Sequence, residues 1–194
     1  MIKKPFNFTG DNMTSKLEGS KTEKNLLTAL QGESLARVKY EFYASQAKKD
    51  GYVQLSEIFS ETSDNEKEHA KVWFKLLHDG EVKDTLTNLG EAIDAEEYEW
   101  SDMYANFAVE AREEGFDDIA DLFELTANIE KAHENRYKRF VENIKNGSVF
   151  KKSDVITWKC GNCGNLYVGK SAPEVCPMCN HPQGHYRKLD LSYI

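Results

Sequence analysis

The chain has 194 residues, 40% of them hydrophobic, and a formal net charge of -8. That length suits one medium domain plus a small appendage, and the acidic balance excludes a nucleic-acid partner, because phosphate contacts need a cationic face. No run approaches the roughly 20 apolar residues that span a bilayer, which excludes a membrane-spanning protein.

The lysines near the amino terminus have no apolar stretch behind them, so a soluble, cytoplasmic protein is expected. All four cysteines fall in the last 35 residues, as Cys160-x-x-Cys163 and Cys176-x-x-Cys179. This favours a reducing compartment and a metal site over disulfides.

In chain order, residues 1–20 show no periodicity and predict an irregular arm. From Lys21 to about Lys49 the spacing is helical, with Leu26, Leu30, Tyr40, Ala44 and Ala47 on one stripe that Glu33 shares. Asp50-Gly51 breaks this helix. A second, from near Tyr52, turns Leu55, Phe59, Ala70, Trp73 and Leu77 inward together with Glu66 and His69. A weakly patterned stretch to about Gly90 leads into a third helix, whose stripe of Leu89, Ile93, Trp100, Met103, Tyr104 and Phe107 contains Glu96 and Glu99. Glu114-Gly115 ends it. The fourth helix runs to about Lys145, with Ile119, Leu122, Phe123, Tyr137, Phe140, Val141 and Ile144 inward beside Glu130 and His133.

After Asn146-Gly147-Ser148 the pattern changes to short segments, Val155 to Trp158 and Leu166 to Val168, that read as small strands around a metal. Residues 147–194 carry six Lys or Arg and three Asp or Glu, a charge of +3, which leaves -11 for residues 1–146. The expected organisation is a mainly α protein: an arm at 1–20, a four-helix bundle at 21–146, a linker at 147–156 and a small β metal-binding domain at 157–194.

Five glutamates and two histidines on inward stripes need an explanation, because a carboxylate turned into a core is costly unless it is paired or binds a cation. Helical rise places Glu33 about 26 Å before the Asp50-Gly51 turn and Glu66 to His69 about 23 to 27 Å after it. About Gly115, Glu96 and Glu99 lie roughly 24 to 29 Å back, and Glu130 and His133 roughly 22 to 27 Å forward. The levels match in both hairpins. One Glu-x-x-His in a charged helix is commonplace, but two copies on apolar stripes, each level with a glutamate of its partner helix, form the pattern of ferritin-like di-iron and di-manganese carboxylate proteins. Oxygen-rich ligation with one imidazole per metal suits iron or manganese. Glu99 is the surplus carboxylate. Glu68, Glu97 and Glu134 lie off these stripes and read as a solvated face, and His78 reads as a partner for the negative end of its helix.

The two cysteine knuckles fit one tetrahedral tetrathiolate ion. Their spacing leaves the ion open: zinc, the commoner, would be structural, and iron would be redox-active. Four sulfurs close the site, which leaves His181 and His185 outside it.

The motifs Gly32-Glu33-Ser34-x-Ala36-Arg37, Glu66-x-x-His69, Glu96-x-x-Glu99, Glu130-x-x-His133, Cys160-x-x-Cys163-Gly164 and Cys176-Pro177-x-Cys179, in this order, resemble those of the rubrerythrin family over about residues 20 to 194. The resemblance implies a ferritin-like four-helix bundle with two irons, followed by a rubredoxin-like domain with one iron at the four cysteines. It implies a peroxidase that reduces hydrogen peroxide to water, fed indirectly from NADH through a rubredoxin or a reductase. On the same resemblance Glu66 and Glu130 would bridge the two irons, Glu33 and Glu96 would be terminal ligands, and His133 would bind one iron. Glu99 and His69 would alternate on the other. Tyr40 and Tyr104 match family tyrosines that hydrogen-bond near the site, whereas spacing alone makes them core aromatics.

Two other readings fit the ligands: ferritin-like iron oxidation and storage, and a zinc-ribbon binding protein whose bundle metals are structural. An oxygen-activating hydroxylase uses similar donors. His133 lies about 20 Å of helix before Asn146, and the +3 and -11 segments offer opposite charges for docking. A head-to-tail homodimer or a higher homo-oligomer is therefore expected.

Overall fold

The computed structural model describes residues 16–190. Most of the expected arm, residues 1–15, lies outside the described residues, as do residues 191–194. The chain divides into two compact units between Lys83 and Asp84.

In the first unit, the Ser20 hydroxyl accepts the Glu23 N–H at 3.0 Å and the Glu23 carboxylate accepts the Gly19 N–H at 2.7 Å. These bonds start α1, Lys21–Lys49, by satisfying donors that no helical carbonyl reaches. At its other end Gly51 takes φ 85° and the Tyr52 N–H reaches back to the Ala47 carbonyl at 2.8 Å, a left-handed helix stop that glycine adopts without steric cost. The chain then reverses into α2, Val53–Leu77. The buried Ser63 hydroxyl donates to the Arg37 carbonyl of α1 at 3.0 Å, and the Tyr40 and Tyr43 rings pack on Phe59. His78 closes α2: its Nδ1 lies 2.7 Å from the Phe74 carbonyl and its ring stacks on Phe74 at 3.9 Å.

The second unit repeats this plan with one addition. The Asp84 carboxylate accepts the Leu86 and Thr87 N–H groups at 2.9 and 3.1 Å and starts α3, Thr85–Tyr98, before the Gly90 boundary that periodicity suggests. A cap fixes where a helix begins regardless of how apolar its first turn is. At Glu99–Met103 the helix widens into a π-turn, in which the Tyr104 N–H reaches the Glu99 carbonyl. It resumes as α4, Tyr104–Glu113. Gly115 at φ 84° and the bond from Phe116 N–H to the Ala111 carbonyl at 2.8 Å reproduce the first hairpin's turn and lead into α5, Asp117–Lys145.

One extra residue in a turn rotates everything beyond it by about 100° about the helix axis. Ala108, 3% exposed, and Ala111 are buried with Ala120 of α5, and the Phe107 ring, expected on the inward stripe, packs beside them on Tyr104 and on Phe123 of α5 at 6.3 and 5.6 Å. Arg112 ties α4 to Asp121 and Glu124 of α5 at 2.8 and 2.7 Å. The close approach at Ala120, which is 0% exposed, leaves no room for a larger side chain. Ala120→Leu should destabilise the protein by roughly 1 to 3 kcal/mol, measured by urea unfolding followed by circular dichroism.

Each hairpin, taken by itself, also leaves large apolar side chains open, such as Leu35 and Phe42 on α1 and Leu122 and Leu125 on α5.

The carboxy-terminal domain is a three-stranded antiparallel sheet of β1, Lys151–Cys160, β2, Leu166–Ser171, and β3, Tyr186–Lys188, in the order β2-β1-β3. β1 begins inside the stretch expected as linker, because Lys151 and Ile156 pair with Ser171 and Gly169 across an irregularity. Trp158, Cys160, Ala172, Cys176 and Tyr186 form its core. Among the described residues, no helix is long and apolar enough to cross a membrane.

Candidate metal centres

Each hairpin gathers one glutamate from its first helix and a Glu-x-x-His pair from its second. In the first, His69 Nδ1 lies 2.8 Å from Glu66 Oε2 and 3.8 Å from Glu33 Oε2. In the second, His133 Nδ1 lies 2.6 Å from Glu130 Oε2 and 3.6 Å from Glu96 Oε2. The two hairpins thus build the same small constellation, and in each the three donor atoms lie within 4.8 Å of one another. Adjacent ligands at about 2.1 Å from one ion are about 3.0 Å apart, a spacing these distances bracket. The i,i+3 spacing turns both side chains of each pair to one face, and the hairpin turns bring the opposite glutamates level.

The charges are set for a cation. Glu66 is held below the usual carboxylate range by the Glu33 carboxyl hydrogen-bonded to it and then by His69. Glu96 is pushed up, first by burial and then by Glu130. A divalent ion held by the carboxylates of the second hairpin would offset both the repulsion and the burial penalty there.

Glu99 stands outside the three-residue group of its hairpin, yet its charge helps raise Glu96. The Tyr104 phenol is raised by burial, then by the charges of Glu99 and Glu130. Tyr40 packs among Tyr43 and Phe59. Glu134, expected on a solvated face, is 4% exposed. It accepts the Trp100 indole N–H at 3.0 Å and pairs with Lys138, partners that sequence position does not reveal.

The cysteines come together as expected. Cys160 Sγ lies 3.8 Å from Cys179 Sγ, and Cys163 Sγ 3.7 Å from Cys176 Sγ. A disulfide would need about 2.05 Å, whereas the edge of a tetrahedron of sulfurs at about 2.3 Å from a metal is about 3.8 Å. Both knuckles turn alike: the Gly164 N–H bonds to the Cys160 carbonyl and the Asn180 N–H to the Cys176 carbonyl, each at 2.9 Å, with φ of 79° and 56°. Glycine and asparagine are the residues that best tolerate this conformation. His181 is held through Nδ1 to the Cys179 carbonyl, and His185 packs edge-on against it; the four-sulfur group includes neither.

The Tyr186 hydroxyl above all draws the Cys176 thiol down to about 6. Cys163 is pushed up to about 12: the Asn165 backbone N–H lowers it, but burial and the thiols of Cys179, Cys176 and Cys160 outweigh that. Metal binding must displace the thiol protons. The metal affinity of this domain should therefore rise with pH from about 6 to about 12, and a chelator-competition titration that is flat over this interval would contradict the assignment.

Paired helix hairpins with repeated carboxylate–imidazole groups and a four-sulfur domain define a non-haem iron protein of the ferritin-like class. The sequence model of the rubrerythrin family matches residues 24–141, and that of the rubrerythrin rubredoxin-like domain matches residues 158–187. The chain is 45% identical to a rubrerythrin of Nitratidesulfovibrio vulgaris over 91% of its length and 98% of that protein's. It is also 45% identical to rubrerythrin-1 of Clostridium acetobutylicum, with the same coverage. A solved structure of nigerythrin in its partially reduced state matches 97% of this chain and 96% of that chain at 26% identity, with a TM-score of 0.34. The chain belongs to the rubrerythrin family. Its cofactors are those of the family, a di-iron site and a cysteine-bound iron, for which the two carboxylate–imidazole groups and the four sulfurs are the donor sets.

Proposed function

We propose that this protein is a cytoplasmic peroxidase that reduces hydrogen peroxide to water, with electrons entering one at a time through the cysteine-bound iron. A rubredoxin or a reductase fed indirectly from NADH would supply them. The observation that carries this reading is the presence, in one chain, of two carboxylate–imidazole groups and a tetrathiolate domain. Iron storage has no evident use for an electron inlet, and a structural zinc ribbon has none for two further metals.

One molecule of peroxide takes up two electrons and two protons and gives two waters. Bound iron supplies the two electrons together, without release of a radical. The chain's residues do the rest. Glu33 and Glu96 would act as terminal ligands, Glu66 and Glu130 as shared ones, and His133 as a fixed imidazole. Glu99 and His69 would alternate as holders of one ion, since an anionic carboxylate suits the oxidised metal and a neutral imidazole the reduced one. The raised phenol of Tyr104 keeps its proton and so remains a hydrogen-bond donor. The opposite charges of residues 147–194 and 1–146 support a head-to-tail homodimer in which each cysteine domain serves its partner.

Stopped-flow mixing of the fully reduced protein with peroxide and with molecular oxygen tests this reading. Peroxide should oxidise it quickly and oxygen more slowly; equal rates would count against a peroxidase.

A further inference from the structure

Trp100 lies inside the π-turn, one residue after Glu99. Its indole N–H donates to Glu134 Oε2 of α5 at 3.0 Å, the Lys131 ammonium sits 4.4 Å from its ring centroid, and Lys138 pairs with the same Glu134 carboxylate. Lys131, Glu134 and Lys138 are three and four residues apart, so a single face of α5 grips the indole. A carboxylate at 4% exposure is costly unless its oxygens are bonded, and here one oxygen accepts a hydrogen bond from the indole N–H and the other from the Lys138 ammonium.

The π-turn makes this grip consequential. The surplus residue lets Glu96 and Glu99 share a helix with Ala108 and Ala111 while both pairs keep their own orientation. Ala108 and Ala111 are fixed after the turn by packing with Ala120. The turn itself is fixed through Trp100. A slip back to α-helical register would rotate Glu99 by about 100° relative to Ala108 and Ala111.

We propose that Glu134 is a positioning residue for Glu99: by holding the Trp100 indole, it locks the π-turn in the register that keeps Glu99, together with Glu96, in its orientation relative to Ala108 and Ala111 and so relative to α5. The inference rests on the reading of Glu99 as an alternating iron ligand.

Three variants separate the bonds. Trp100→Phe keeps an aromatic ring and removes the N–H, Glu134→Leu removes the acceptor, and Glu134→Gln retains an acceptor for the indole. Two readouts apply to each: hydrogen exchange at the Tyr104 amide in metal-free protein, and the visible spectrum of the oxidised iron-loaded protein, with Glu99→Ala as the reference. Trp100→Phe and Glu134→Leu should speed Tyr104 exchange by about tenfold, the scale of one lost hydrogen bond, and shift the spectrum toward that of Glu99→Ala. Glu134→Gln should retain the parent behaviour in both. If Glu134→Leu fails to fold, Trp100→Phe decides alone. Unchanged exchange and spectrum in a folded Trp100→Phe variant, with a changed Glu99→Ala spectrum, would overturn the lock. A Glu99→Ala spectrum identical to the parent would instead overturn the ligand reading beneath it, whatever the exchange shows.

Discussion

Alanine in place of Glu130 should lower peroxide turnover by on the order of 100-fold or more, given that even outer partners of metal ligands cost 10- to 100-fold when removed. Glu130 lies 2.6 Å from His133 Nδ1 and belongs to the donor group of the second hairpin. Without it, that group retains one carboxylate and one imidazole. The fold should survive: after burial, Glu130 raises Glu96 by a hydrogen bond first and by like charge second, so its removal gives up that bond and the one to His133 but also a like-charge repulsion. Metal-free Glu130→Ala should therefore unfold within about 1 kcal/mol of the parent, while its iron content and turnover fall. Glu66→Ala in the first hairpin should lose turnover in the same way. A Glu130→Ala protein that keeps full activity would remove this glutamate from the site.

Cys176→Ala should abolish the colour of the cysteine-bound iron and all turnover with an external reductant, leaving helical circular dichroism intact. Cys176 is fully buried in the core of the small sheet domain, 3.7 Å from Cys163 across the four-sulfur group. Three thiolates do not close a tetrahedral site. The two carboxylate–imidazole groups lie on other elements, so a reduced sample should still be oxidised once by peroxide. Mixed with Glu66→Ala, this variant should regain turnover if electrons pass from the cysteine domain of one protomer to the iron of its partner. No recovery in verified heterodimers would favour transfer within one chain.

Much of the site was legible because its signals are local. Asp50-Gly51 and Glu114-Gly115 announce two equivalent stops, and depths counted from these turns match Glu33 to His69 and Glu96 to His133. The cysteine knuckles carry their own turn residues in Gly164 and Asn180. What period counting missed depends on contacts distant in sequence. A π-turn adds one residue without marking it, so period counting finds Phe107, which packs on Phe123, but not Ala108 and Ala111, which are buried against Ala120. Glu134 falls off the stripe and looks like surface until the Trp100 indole, which needs a partner when buried, is found against it. A glutamate four residues before a lysine was the available hint. The helix start at Thr85 could have been read from Asp84 and Thr87, whose groups form the cap.

An iron count combined with the visible spectrum of the fully reduced protein, before and after one equivalent of hydrogen peroxide, tests the central claim most directly. Donor bookkeeping predicts about three irons per chain, two at the carboxylate–imidazole groups and one at the cysteines. One equivalent takes two electrons, as many as the iron at the carboxylate–imidazole groups holds, and should oxidise that iron; further peroxide should then bring up the intense ferric thiolate colour of the cysteine-bound iron. A chain that binds a single ion, a colourless cysteine domain filled with zinc, or a reduced spectrum that peroxide leaves unchanged would contradict it.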